Sequence, residues 1–219
     1  MRLNKNIRQT LRIAKIELSS MFYSPVAWLI LVIFALLIGY DYANIFDTQL
    51  HSQSLGNNLW SVSSAIYNSW MTGILKPILR NLYLYIPLIT MGLMSREYQS
   101  GSVKLLYSSP IKNSSIILGK YLAMMCYGAA LMYIIGLNVL FSWLTVENFQ
   151  ISMLLVGMLG IYLLILAYSA IGLFMSTLTA YQVVAAIGTL AVLAVLNFIG
   201  DRARYYFLVI YLRAFDFFY

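Results

Sequence analysis

Arg96 to Tyr121 reads REYQSGSVKLLYSSPIKNSSIILGKY, and the contrast with its flanks decides the fold. Arg96, Lys104, Lys112 and Lys120 set four positive charges against the single acid Glu97. Before it lies the apolar run Leu82–Met94, and after it a second run extends from about Ile116 to Trp143. Each is of a kind that crosses a bilayer, where about 20 apolar residues form one helical span. A polar, basic interval between two such runs is a connection at a membrane surface. Its first half has helical spacing and its second half stops at Pro110, which predicts a short surface helix over 96–110.

The whole chain shares this character. Its 219 residues are 62% hydrophobic and 10% charged, with a mean hydropathy of +0.81. Soluble domains are about half apolar and about a quarter charged, so a water-soluble globule is excluded. Solid apolar runs, in place of alternating polar and apolar residues, exclude a β-barrel. The fold class is all-α, a polytopic transmembrane helical bundle forming a single domain over residues 1–219. The net charge of +7 falls at the ends of apolar segments, where positive residues set orientation. Nucleic acid is therefore not the partner. Cys126 is alone in an apolar run and His51 is alone in a polar one, which leaves neither a disulfide nor a metal site.

Working outward, residues 3–22 predict an amphipathic helix on the membrane surface. Leu3, Ile7, Leu11, Ala14 and Leu18 share one face, Lys5, Arg8, Arg12 and Lys15 take the other, and Ile16 falls among the polar residues. The basic face suits anionic headgroups and the apolar face the acyl boundary, making membrane lipids a partner. Pro25 turns the chain into a first span over Val26–Tyr40, with Asp41 at its far end. A Ser/Asn-rich loop with Trp60 and Trp70 follows over 41–75. The second span has a short apolar core, so its helix starts earlier and puts Lys76 and Arg80 at the outer headgroups. The fourth and fifth spans cover about Ile151–Met175 and Gln182–Ile199, joined by a tight turn at Ser176–Tyr181. Asp201, Arg202 and Arg204 then interrupt before Tyr205–Tyr219, a short re-entrant or truncated sixth segment. With the N-terminus cytoplasmic, nine of these basic residues fall inside and Lys76, Arg80, Arg202 and Arg204 outside.

Glu17, Asp41, Asp47 and Glu97 are unpaired at one-turn spacing, and no nucleophile or metal-hydrolase motif occurs, so no catalytic residue is assigned. Gly119-Lys120 looks like the end of a phosphate loop, but position 114 is Ser and 121 is Tyr. No cofactor is expected on this chain. The span cores read as free of ionisable residues, which argues against a proton-coupled carrier. Gly119, Gly128, Gly136, Gly157, Gly160 and Gly172 mark places where helices can approach closely. In the surface helix, an exposed Glu97 and apolar neighbours would insert into a cleft on a soluble partner.

At these residues the chain resembles the type-2 family of ABC transporter permeases. The family's cytoplasmic loop runs E-[RY]-x-x-G-[TS], a Leu-Leu pair, Ser-Pro or Thr-Pro, then G-K. Glu97, Tyr98, Gly101, Ser102, Leu105, Leu106, Ser109, Pro110, Gly119 and Lys120 match it in order. Ile16–Phe34 resembles the family's surface helix and first span, and Gly172–Ala186 its fourth-to-fifth turn. The nearest likeness is to the bacterial branch associated with gliding motility and export. The resemblance implies a dimer with a second permease copy or paralogue, served by ATP-binding subunits on separate chains. It implies a coupling helix over 96–110, with Glu97, Gly101, Leu105, Leu106 and Pro110 meeting the ATPase subunit. It places the chain in a bacterial cytoplasmic membrane. Six spans are usual in that family, so the ending at Tyr219 reads as a fragment or truncated product. A non-transporting anchor of a motility or secretion machine is the alternative function.

Overall fold

The computed structural model describes residues 2–54, 75–108, 111–145 and 151–216. The expected loop tryptophans Trp60 and Trp70, the Ser109-Pro110 stop and the Glu147 loop lie outside the described residues. The described backbone forms eight helices in order: α1 (Arg2–Tyr23), α2 (Pro25–Ser54), α3 (Leu75–Thr90), α4 (Ser95–Ser100), α5 (Val103–Ser108), α6 (Asn113–Thr145), α7 (Ile151–Leu178) and α8 (Gln182–Asp216). Five stretches are long and apolar enough to cross a membrane: Pro25–Thr48, Pro77–Ser100, Asn113–Phe141, Leu155–Leu178 and Gln182–Gly200. The fold is the helical membrane bundle that the apolar runs predict.

A single residue, Ser24, separates α1 from α2. Pro25 opens α2, a position where its missing N–H leaves no carbonyl unpaired. The elbow is pinned by Trp28, whose indole donates to the Phe22 carbonyl at 2.8 Å while its ring meets Phe22 edge-on. α2 does not end at Asp41. It continues to Ser54 because its inward stripe continues: Ala27, Ile30, Leu31, Phe34, Ile38 and Tyr42 are all buried at helical spacing. Tyr42 then stacks on Phe46. Net hydropathy falls beyond Asp41, but the stripe persists for another turn.

The second span begins at Leu75, ahead of its apolar core as the sequence predicts. It is the most enclosed of the five, with 53% of its window buried against 17% for that of α8. Its core residues Ile78, Leu82 and Ile86 are almost fully buried among α2, α7 and α8. The outer helices instead expose large apolar side chains, such as Leu36, Tyr133, Val156 and Val183, as lipid-facing walls require.

Tyrosine hydroxyls tie helix to helix by donating to carbonyls. Tyr127 of α6 reaches Ala27 of α2 at 2.8 Å, and Tyr121 of α6 reaches Leu166 of α7 at 3.2 Å. Tyr162 of α7 returns to Met125 of α6 at 3.3 Å. Each puts an apolar ring in the interface and leaves no hydroxyl stranded in hydrocarbon. Buried Thr90, Ser169 and Thr189 satisfy themselves on carbonyls one turn back.

At the C-terminal end, the break expected at Asp201–Arg204 is absent. α8 runs unbroken to Asp216, so the last apolar piece extends the fifth span and is not a hairpin. One reason is local: the Arg202 guanidinium lies 5.3 Å above the Phe198 ring one turn earlier, so the charge rests on its own helix.

The glycines differ in what they do. A Cβ at Gly119 would meet Ile13 of α1 at 2.7 Å and the Thr10 carbonyl at 3.0 Å. At Gly128 it would meet Ile165 at 2.9 Å, and at Gly172 it would overlap Thr90. Gly136 makes ordinary contact and Gly157 is half-buried. Gly160 is not a close-approach point, since a side chain there meets open space. Replacing Gly119 by Leu is expected to lower the thermal midpoint of the detergent-solubilised protein by several degrees, because overpacking costs about 1–3 kcal/mol. Gly160→Leu should leave it unchanged; equal effects in the two variants would refute this packing assignment.

Candidate functional site

α1 packs more extensively on α6 than any other two helices pack together. Its buried line is rotated from the expected apolar face. Thr10, Ile13, Ala14, Glu17, Leu18 and Met21 turn toward the protein, whereas Ile7, Leu11 and Ile16 are exposed. Arg8, Arg12 and Lys15 are exposed as a basic surface; Lys5 lies in α1. The close approach at Gly119 brings α1 onto α6 at the next residue of the chain, Lys120.

Lys120 is 1% exposed, although its charge had placed it among the surface cations of an inside loop. It lies within the third span (Asn113–Phe141), so the span is not free of ionisable residues. Its Nζ donates to Glu17 Oε1 of α1 at 2.6 Å and pairs with Glu97 Oε1 of α4 at 2.8 Å. An ammonium has three donors and no acceptor, and burial makes such partners obligatory. Three segments are thereby joined at one atom: the surface helix, the segment after α3 and the third span. Glu97 Oε2 is buried with no hydrogen-bond partner among the described residues, so the carboxylate is held on one side only.

This geometry revises the expectation for Glu97. Its side chain is 25% exposed and its carboxylate faces Lys120, so it does not project outward. The sequence held one available signal. Lys120 sits four residues inside an apolar run, and a lysine in that setting requires a carboxylate. Which of the seven acids supplies it is a tertiary fact.

The segment carrying Glu97 is mounted on a broken helix. Pro87 lies inside α3, and after Thr90 the chain takes a turn over 91–94 before α4 begins. Met94, the N-cap of α4, supplies no side-chain cap. The cap comes from α7. Ser176 Oγ accepts from the Met94 N–H at 3.0 Å and the Ser95 N–H at 3.1 Å, and donates to the Met91 carbonyl at 3.0 Å. Ser176 is fully buried and belongs to α7, not to the turn that follows it. One hydroxyl thus satisfies both sides of the break. Leu93, Met94, Met124 and Leu173 form a small apolar cluster at the same junction.

The expected single helix over 96–110 is two. Gly101, at φ 72°, ends α4 in the left-handed conformation, its N–H donating to the Tyr98 carbonyl at 3.2 Å. α5 starts two residues later, at Val103. A side chain at Gly101 would meet no neighbour, so only its backbone requires glycine. Leu105 and Leu106 lie in α5, and Pro110 lies outside the described residues. Among the described residues no group of His, Cys, Asp and Glu could hold a metal ion. The cluster is a buried ion-pair tie between three segments.

Two predictions test it. Lys120→Met leaves two inward carboxylates unpaired and is expected to cost about 2–4 kcal/mol, read as a lower thermal midpoint in detergent. Adding Glu17→Gln and Glu97→Gln should recover most of that loss; no recovery would refute the three-way tie. Ser176→Ala is expected to cost about 1–2 kcal/mol and to speed amide hydrogen exchange at Met94 and Ser95, leaving the α8 amides unchanged.

The chain matches the family model described as ABC-2 family transporter protein over residues 11–213, which reaches from the surface helix into the far half of α8. The match is to the family as a whole and does not separate its branches. No curated protein and no solved structure matches the chain. As a multi-pass helical bundle that matches this model over nearly its full length, the chain belongs to the ABC-2 transporter family and is an ABC permease subunit.

Proposed function

We propose that this permease subunit belongs to an ATP-driven exporter and takes its drive from a separate ATP-binding chain docked on residues 96–110. The observation that carries this reading is the mounting of that segment. It is short and polar, bent at Gly101, and fastened to α1 and α6 through Lys120 and to α7 through Ser176. A push on such a segment is passed to three helices at once, because none of these ties yields without stranding a buried polar group. In this reading Glu97 holds the coupling segment, while Leu105, Leu106 and Pro110 are the residues that meet the ATPase. A second permease copy or paralogue completes the pathway, with ATP hydrolysis confined to the partner chains.

The proposed orientation has the N-terminus in the cytoplasm of a bacterial inner membrane. With Lys120 buried, Arg2, Lys5, Arg8, Arg12, Lys15, Arg96, Lys104 and Lys112 remain inside, eight against Lys76, Arg80, Arg202, Arg204 and Arg213 outside. α4 and α5 follow two crossings from that start, which puts them on the ATP-bearing side.

Purification of the full chain from its own cells in mild detergent should bring an ATP-binding subunit with it. Leu105→Asp with Leu106→Asp is expected to reduce that co-purification about tenfold, with membrane insertion retained. Gly101→Val strains the left-handed cap and should lower stimulated ATP hydrolysis severalfold without releasing the partner. Unchanged co-purification and hydrolysis in these variants would overturn the coupling assignment. Recovery of a large envelope assembly without an ATP-binding subunit would favour the anchor reading.

A further inference from the structure

Beside the Lys120 joint lies a cleft of about 110 Å³ between the α1–α2 elbow, the turn after α3 and the start of α8. That is several times the ~10–15 Å³ that holds one water on the same measure. Its lining is divided. Val26, Ala27 and Ile30 from the first turns of α2 and Leu88 and Ile89 from α3 give an apolar wall. Arg96, Ser20, Ser24 and Gln182 give a polar end.

Three features of the polar end point to an anion. The Arg96 side chain is exposed and has no carboxylate partner among the described residues, whose ion pairs both use Lys120. It folds back across Gly92: a Cβ there would lie 3.2 Å from Arg96 Nη2, so the absent side chain gives the guanidinium its path over the turn. Gln182 is the first residue of the 35-residue helix α8, which brings the positive end of its backbone dipole to the same cleft. Glu17 also lines the cleft; Lys120 Nζ holds its Oε1 at 2.6 Å but is shared with Glu97, so the triad keeps one net negative charge, which Arg96 and the start of α8 face from the other side of the cleft.

The apolar wall says what the anion is attached to. Val26 and Leu88 are 46% and 45% exposed; Val26 stands in the first turn of α2 and Leu88 in the last turn of α3. A soluble anion has no use for that wall, and an acyl chain does. We infer that this cleft is a binding site for an anionic phospholipid, its phosphate on Arg96 and its acyl chain along Val26 and Leu88. The site is independent of whether the subunit exports anything.

The test is lipid binding to the purified full chain in neutral detergent, comparing dioleoyl phosphatidylglycerol with dioleoyl phosphatidylcholine by native mass spectrometry. One phosphatidylglycerol should be retained about tenfold more tightly than phosphatidylcholine. Arg96→Gln should abolish the preference, Arg96→Lys should keep part of it, and Gly92→Val should weaken it by displacing the guanidinium. Arg8→Gln with Arg12→Gln, on the headgroup-facing side of α1, should lower the number of loosely bound lipids and keep the preference of the single tightly held one. Loss of the preference in that α1 variant but not in Arg96→Gln would overturn the site in favour of general surface attraction. Competition by glycerophosphoglycerol, which has no acyl chains, at the affinity of the lipid would overturn the lipid assignment in favour of a free phosphate ester. Equal retention of the two lipids would overturn it altogether.

Discussion

A lysine ammonium removed from water must be met by carboxylates, and in this chain that requirement gathers three distant segments. Lys120 is 1% exposed, and its partners come from 103 residues upstream in α1 and from the segment after α3. The approach that makes this possible is steric: Gly119 lets α1 lie against α6 closely enough for Glu17 to reach. Charge and packing are therefore one constraint. The tie adds little net stability over an apolar isostere, since desolvation offsets much of the attraction. What it supplies is register, because any slip of α1 along α6 would strand a charge.

The same economy governs the break after α3. A span interrupted at membrane depth leaves free N–H and C=O groups, which hydrocarbon does not tolerate. Ser176 answers this with one hydroxyl, and buried Ser95 bonds the Met91 carbonyl as well. The break separates α3 from α4, whose first residues are held by α7. The segment is thus anchored at the start of α4 by Ser176 and through the charge of Glu97 by Lys120. The neighbouring cleft, with Arg96 turned back over Gly92, lies next to that segment, and so does the lipid site inferred there.

Much of the bundle was legible because bilayer-spanning helices declare themselves by length and apolarity. The elbow follows from the single residue Pro25, whereas the early start of the second span at Leu75 and the start of α8 at Gln182 follow from the extent of the apolar runs. The misread boundaries share one cause. Hydropathy averages over all faces of a helix, so Asp41 and Arg202 read as ends. In the fold, the buried stripe through Ile38 and Tyr42 and the contact of Arg202 with Phe198 carry the helices onward. The bend at Gly101 was visible as a motif glycine but not as a left-handed cap, which depends on the chain's path and not on composition.

The sequence by itself determined the class of protein, the number and approximate extent of its spans, and the order of motif residues from Glu97 to Lys120. These depend on transfer of side chains from water, a property each residue carries with it. Only the tertiary structure decided which acids meet Lys120, that a serine from α7 caps α4, and that Glu97 faces inward. Those are pairings between residues 23 to 103 positions apart, separations given by Glu97–Lys120 and Glu17–Lys120. A single sequence contains all the candidate partners, and only the folded geometry brings two of them within 3 Å of the same nitrogen.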